Sequence, residues 1–293
     1  MSKAEPAIRL HEDLDLFREA VRFTATETGF PPRLIEKDYF CTLLLAYLSG
    51  VAGGELVFKG GTCLAKVHAD LYRLSEDLDY TIPVPVDAPR KERSNRAAIV
   101  KTALNGLARA IPTFQVVDPL RGANKSTQYL AVVGYGSILS QQKETIKIEV
   151  SLREPLLMPT VSGRARTLLL NPVSVRAFVQ SISLLCIEKS EALAEKFRAA
   201  LSRREVAIRD FYDIDYAVRN DGLNPEDAKL VEQVRHKLAI PGNEPVDVSE
   251  RRLSSLRRQV EAQLKPVLRE KEFSDFDLDR AFKMVFDMAK AVS

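Results

Sequence analysis

Two aspartates separated by one residue, Asp77 and Asp79, lie in Ser75-Glu76-Asp77-Leu78-Asp79, which follows Lys59-Gly60-Gly61-Thr62 by the length of a short helix. Side chains at i and i+2 of a strand share a face. The two carboxylates can therefore hold one hard, oxygen-seeking Mg²⁺, the kind of ion that bridges triphosphate oxygens. Gly60 and Gly61 suit the other half of such a site, because they permit a tight turn that presents backbone N–H groups to phosphate. A helix starting near Thr62 adds its positive N-terminal end. A third acid comes from Lys147-Ile148-Glu149-Val150, where strand alternation puts Ile148 and Val150 on one side and Lys147 and Glu149 on the other.

Other charged residues recur at helical spacing. Lys196 and Arg203 are seven apart, about two turns, and Asp210 and Asp213 are three apart, so each pair occupies one helix face. A solvated stripe accounts for the first pair on spacing alone, and capping or surface pairing for the second. Asp275, Asp277 and Asp279 begin like a calcium loop, but Arg280 stands where the loop needs glycine and Asp287 is misplaced for the closing glutamate. There is no Gly-x-Ser-x-Gly nucleophile turn and no Gly-x-x-x-x-Gly-Lys phosphate loop. His11, His68 and His236 are scattered without ligand spacing.

The elements that must position these residues follow from the apolar pattern. Residues 11–28 form an amphipathic helix ended by Gly29 and Pro31-Pro32, and residues 34–48 form a core helix that begins with Glu36-Lys37-Asp38. A strand at 56–58, a helix at 62–71 and a strand at 78–82, stopped by Pro83 and Pro85, make the unit that carries the chemistry. A surface helix at 91–110 precedes strands at 113–117, 128–135 and 145–151, a mixed extension of the sheet. From about Asn171 the composition turns helical. Ser190 is read as the N-cap of a helix to about Arg203, followed by helices at 209–218, at 249–272 with an interruption at Pro266, and at 278–291.

The fold class is α+β, with residues 1–170 as the sheet-bearing domain and 171–293 as a mainly helical domain that completes the site. A chain of 293 residues at 45% hydrophobic can bury sizeable cores. Forty-three Lys+Arg against 40 Asp+Glu gives +3, which does not demand nucleic acid. Cys41, Cys63 and Cys186 are widely spaced among apolar neighbours, and read as reduced core thiols in preference to disulfides or a zinc site. With no apolar run near the ~20 residues that span a bilayer, and no leader pattern, the expectation is a soluble cytoplasmic protein with no membrane partner.

Phe58-Lys59-Gly60-Gly61-Thr62-Cys63-Leu64 followed by Arg73-Leu74-Ser75-Glu76-Asp77-Leu78-Asp79 resembles the first motif of the AbiEii/AbiGii nucleotidyltransferase toxin family. Ala194-Glu195-Lys196-Phe197-Arg198-Ala199 and Arg209-Asp210-Phe211-Tyr212-Asp213 resemble its helical motif pair, and Ile35-Glu36-Lys37-Asp38-Tyr39 its lead-in helix. The resemblance spans residues 33–218. It implies a polymerase-β-like nucleotidyltransferase domain with a mixed sheet, Mg²⁺ on Asp77, Asp79 and Glu149, an NTP substrate with CTP or GTP first, and catalytic roles for Asp77, Asp79, Lys196 and Asp210. Lys59, Gly60, Gly61, Thr62, Ser75 and Lys196 would line the nucleotide site. The gap from Gly61-Thr62 to Asp77 is longer than the general superfamily pattern and suits this family's own version.

The activity so implied is transfer of a nucleoside monophosphate from an NTP to a hydroxyl, with tRNA 3′ ends as the leading acceptor and a cognate antitoxin as partner. Arg198, Arg203, Arg204 and Arg209, with Arg251, Arg252, Arg257 and Arg258, offer a basic rim for RNA phosphate, and a solvated helix face accounts equally well for the last four. A protein or small-molecule acceptor, and a non-catalytic nucleotide-binding module, stand as alternatives. Phosphorylation of Ser75 would add roughly −2 charge beside Asp77 and Asp79 and repel a triphosphate.

Overall fold

A computed structural model of the protein describes residues 9–293, whose contacts separate two units: Met1–Arg153 with Ser162–Cys186, and Glu154–Val161 with Ile187–Ser293. In the first unit, the Asp13 side chain accepts from the Leu16 N–H and caps α1 (Leu14–Thr28). Pro32 then opens α2 (Pro32–Ala52), whose Leu43, Leu44, Leu45 and Leu48 are all buried, as expected of a core helix.

A chain of short elements carries the site. β1 (Val57–Lys59) runs into α3 (Gly60–Cys63), which continues as a π-helical turn over Leu64–His68. The sequence places this helix at 62–71. It starts earlier, and it ends earlier because the Ala69 N–H reaches back to the Leu64 carbonyl and closes the wider turn. β2 (Leu78–Thr81), α4 (Arg90–Ala110), β3 (Phe114–Ala123), β4 (Gln128–Gly136) and β5 (Lys143–Ser151) match their expected order.

β6 (Val161–Ala165) and β7 (Ile182–Cys186) lie where the sequence reading had no strand, and β7 falls in a stretch read as turning helical. Its period of two was present: Ile182, Leu184 and Cys186 are buried while Ser183 is exposed. All seven strands form one mixed sheet in the order β3-β4-β5-β2-β1-β7-β6. β1 is antiparallel to β2 and parallel to β7; β2 is parallel to β5; β4 is antiparallel to β3 and β5.

The charged triplet at the start of α2 is buried and fully engaged. Glu36 accepts from the Ser137 hydroxyl (2.7 Å) and the Ile138 N–H (2.6 Å), just beyond β4. Lys37 Nζ lies 2.6 Å from Glu76 Oε2, and Asp38 Oδ1 lies 2.6 Å from Lys66 Nζ. The Lys66–Asp38 pair is 2% and 3% exposed, and Asp38 also accepts from the Leu168 N–H (3.0 Å). A charge buried this deeply is tolerable only because its partner and extra donors are in place.

The second unit is helical: α5 (Lys189–Ser202), α6 (Ile208–Asn220), α7 (Ala228–Ala239), α8 (Glu250–Gln259), α9 (Glu270–Asp275) and α10 (Leu278–Val292). Ser190 is not the N-cap of α5. Glu188 is, its carboxylate accepting from the Ser190 N–H at 2.7 Å and the Ser190 hydroxyl at 2.5 Å. α7 has no counterpart in the sequence reading. The interruption expected at Pro266 is present, as a π-helical turn at Val260–Leu264 and a 3-10 turn at Lys265–Val267. α5 and α7 are joined through buried Lys237, which meets Glu191 at 2.7 Å, Glu195 at 3.2 Å and Glu154 at 3.4 Å. Burial pushes the Lys237 pKa down, but the three carboxylates outweigh it and hold the ammonium charged. Among the described residues no helix is long and apolar enough to cross a membrane.

Replacing Lys66 by Met leaves the Asp38 carboxylate buried without its cation, so Lys66→Met is expected to destabilise the protein by roughly 3–5 kcal/mol in urea unfolding. A loss below about 1 kcal/mol would show that the pair does not hold α2 in place.

Candidate active site

The register of three strands builds a row of charge across the sheet. Lys59 on β1 is opposite Asp79 on β2, and Asp79 is opposite Glu149 on β5. Cross-strand neighbours share a face, so these three line one side. Phe58, Leu78, Tyr80, Ile148 and Val150 have the other parity, and all are buried. The alternation that the sequence suggested for Glu149 and Ile148 is therefore present, and Asp79 sits between a cation and a second carboxylate.

Gly60 backs directly onto Asp79. Its φ of +75° is one that side chains rarely adopt, and a Cβ there would overlap the Asp79 carboxylate. Gly61 is packed as tightly against the Arg73 guanidinium, which is 2% exposed. Thr62 completes the turn by donating its hydroxyl to the Asp77 carbonyl at 2.5 Å. Asp77 itself stands one residue ahead of β2, half-buried like Asp79, and Ser75 is half-buried two residues earlier. The glycine turn and the acidic stretch are thus tied together by sterics and by a hydrogen bond.

The neighbours of this stretch are also fixed. Glu76, beside Asp77, is clamped by Lys37, and Arg33 donates to Glu144 through Nε (2.8 Å) and Nη2 (3.0 Å). The hydrogen bond from Arg33 holds the Glu144 carboxyl below the usual glutamate range. Glu149 accepts from Lys147 Nζ at 3.3 Å, a pair exposed enough to be weak. Asp77, Asp79 and Glu149 are hard oxygen donors of the type magnesium takes. They are not drawn into a tight trio: among the described residues, the three groups whose ligand atoms all lie within 4.8 Å of one another are Cys63, His68 and Cys186.

That cluster corrects the reading of the histidines and cysteines. All three cysteines are buried thiols, as expected, but His68 does have ligand-type company. Linear spacing hid it, because Cys186 reaches Cys63 through the parallel pairing of β7 with β1.

In the helical unit, Lys196 and the aspartates of α6 do meet. Lys196 Nζ lies 2.8 Å from Asp210 Oδ1 and 2.8 Å from Asp213 Oδ2, and Arg203 Nη1 lies 3.1 Å from Asp210 Oδ2. The Lys196 side chain is 13% exposed, so it is part of a buried ion network instead of a solvated stripe. Among the basic residues of this unit, Arg203, Arg204, Arg251, Arg257 and Arg258 are exposed. Arg252 is not: it is buried and donates to the Ala200 and Arg203 carbonyls. Arg73 and Lys37 escaped sequence reasoning as members of the site. Their signal was a basic residue inside an apolar run, Leu71-Tyr72-Arg73-Leu74, and another at the head of a core helix.

The family model described as nucleotidyl transferase AbiEii toxin, type IV TA system, matches residues 43–288. The chain belongs to this family of nucleotidyltransferase toxins. No curated protein matches it. Its fold is similar to the crystal structure of JHP933 from Helicobacter pylori, at a TM-score of 0.51 and 17% identity over 90% of this chain and 93% of that one. A nucleotidyltransferase toxin of Mycobacterium tuberculosis, MenT4, aligns at a TM-score of 0.43 and 17% identity over 94% of this chain and 97% of that one.

Gly60→Ala must strain the backbone and displace Asp79, so it is expected to lower stability by about 1–3 kcal/mol and to weaken Mn²⁺ binding measured by paramagnetic resonance. Gly50→Ala in α2, where a Cβ meets nothing within 4 Å, serves as the control and is expected to leave both intact or raise stability. Equal behaviour of the two variants would contradict the packing of Asp79 on Gly60.

Proposed function

We propose that the protein transfers a nucleoside monophosphate from an NTP to the 3′ end of tRNA, releasing pyrophosphate and blocking translation. The observation that carries the reading is the row Lys59, Asp79, Glu149 beside a glycine turn in which Gly60 packs directly on the Asp79 carboxylate. Family membership supports the transferase class. The choice of tRNA, of CTP or GTP, and of a cytoplasmic setting with a cognate antitoxin rests on the resemblance of the motifs.

Nucleotidyl transfer needs positioning and electrostatic stabilisation more than covalent help. Asp77 and Asp79 are assigned to hold Mg²⁺, with Glu149 as a third ligand or as the base that takes the acceptor hydroxyl's proton. The ion, when bound, neutralises charge on the triphosphate oxygens. Gly60, Gly61 and Thr62 present backbone N–H groups to phosphate, and Lys59 adds a positive charge at the end of the row. Lys196 is assigned to charge on the leaving pyrophosphate. Asp210, its partner at 2.8 Å, is the further catalytic acid, and Ser75 lines the nucleotide site.

The test is label transfer from α-labelled CTP and GTP, with Mg²⁺, to total RNA, protein and small metabolites. The expected label is in tRNA. Asp79→Asn, with an unchanged circular dichroism spectrum, is expected to lose transfer by at least about 100-fold. Full transfer by Asp79→Asn would remove catalysis from this row, and label in protein or metabolites would redirect the acceptor.

A further inference from the structure

Cys63, His68 and Cys186 form a cluster for which the nucleotidyl transfer site has no use. Cys63 ends α3, the helix that begins at Gly60. His68 ends the π-helical turn that follows, and Cys186 ends β7, with its Cα in register with Phe58 of β1. One ligand atom from each lies within 4.8 Å of the other two. Zinc binds thiolate sulfur at about 2.3 Å and imidazole nitrogen at about 2.0–2.1 Å, so a shift of about 1 Å or less per side chain closes all three on one ion.

The surroundings suit a metal held in a pocket of fixed shape. Both cysteines are buried while His68 is half-buried, which leaves an entry on the imidazole side. Gly163 of β6 closes over the sulfur: a Cβ there would lie 2.7 Å from Cys186 Sγ and 2.5 Å from Val67 Cγ1. Cys63 and His68 both hydrogen-bond to Cys186, so the three side chains already face one another.

We propose that Cys63, His68 and Cys186 bind one thiophilic divalent ion of the zinc class, separate from the magnesium carboxylates. Two soft sulfurs and an imidazole select zinc over magnesium or calcium. Binding releases the thiol protons of Cys63 and Cys186 to solvent, and the ion accepts both thiolates and one ring nitrogen. Three protein ligands leave the fourth tetrahedral position for water or another small ligand. The ion would staple the end of α3 to β7 and so stiffen the helix that presents Gly60, Gly61 and Thr62.

The test uses the full chain, reduced and stripped with chelator, then titrated with Co²⁺ as a spectroscopic probe. One sulfur-bound ion per chain is expected, with thiolate-to-cobalt charge-transfer absorption and the intense d–d bands of tetrahedral cobalt. Zn²⁺ is expected to displace it and to raise the melting temperature. Cys186→Ser and His68→Asn are expected to lose the bands, whereas Cys41→Ser and Asp79→Asn keep them. X-ray absorption of the zinc-loaded wild type, which requires no variant to fold, is expected to show two sulfurs and one imidazole. An oxygen-only shell, absence of charge-transfer absorption, or bands that persist in Cys186→Ser would overturn the site.

Discussion

The Asp79 carboxylate fills the space that a side chain at position 60 would need, and glycine there lets the carboxylate keep it. β1 must turn immediately after Lys59, at a φ that only glycine adopts easily, for Asp79 to stand opposite Lys59 and beside Glu149. Leu78 and Tyr80, on either side of Asp79 in sequence, point into the apolar core and fix which way β2 faces. A slip of one residue would bury the aspartate and expose the tyrosine. The position of the acid is thus set by the hydrophobic effect acting on its neighbours.

Buried charge does the remaining alignment. Glu36, Lys37 and Asp38 tie one end of α2 to the chain beyond β4, to Glu76 and to Lys66. Such pairs add little net stability over apolar substitutes, but each is costly to break singly. The arrangement therefore acts as a set of fixed contacts that permit one register of the surrounding chain. In the helical unit the same logic holds Lys196 between Asp210 and Asp213, and Lys237 among three glutamates. Helices whose apolar packing is non-directional gain specific partners.

Much of the first unit was legible in the sequence because its signals are local. Paired acids at i and i+2, a double glycine and an alternating strand at 147–150 each declare themselves within a few residues. The resemblance to AbiEii toxins, read from Lys59-Gly60-Gly61-Thr62 and Ser75-Glu76-Asp77-Leu78-Asp79, agrees with the family match over residues 43–288. What escaped depends on pairing between distant segments. β7 alternates in burial, but its sequence, Ile182-Ser183-Leu184-Leu185-Cys186, has a single polar residue, is short and is followed closely by a helix-rich stretch. Once it was missed, nothing placed Cys186 beside Cys63. Arg73 looked like an ordinary charge because the space for it is created by Gly61, twelve positions earlier. The N-cap at Glu188 was hidden by Ser190, a residue type that favours that role and here donates to the glutamate instead.

In the proposed mechanism the Asp79 row and the glycine turn form one nucleotide–metal site. A crystal structure of the full chain soaked with Mn²⁺ and a non-hydrolysable NTP analogue tests it most directly, since manganese is located by its anomalous scattering. Manganese is expected on the carboxylates of Asp77 and Asp79, with phosphate oxygens over the backbone of Gly60 and Gly61. Nucleotide and manganese bound elsewhere, with both aspartates uninvolved, would contradict it.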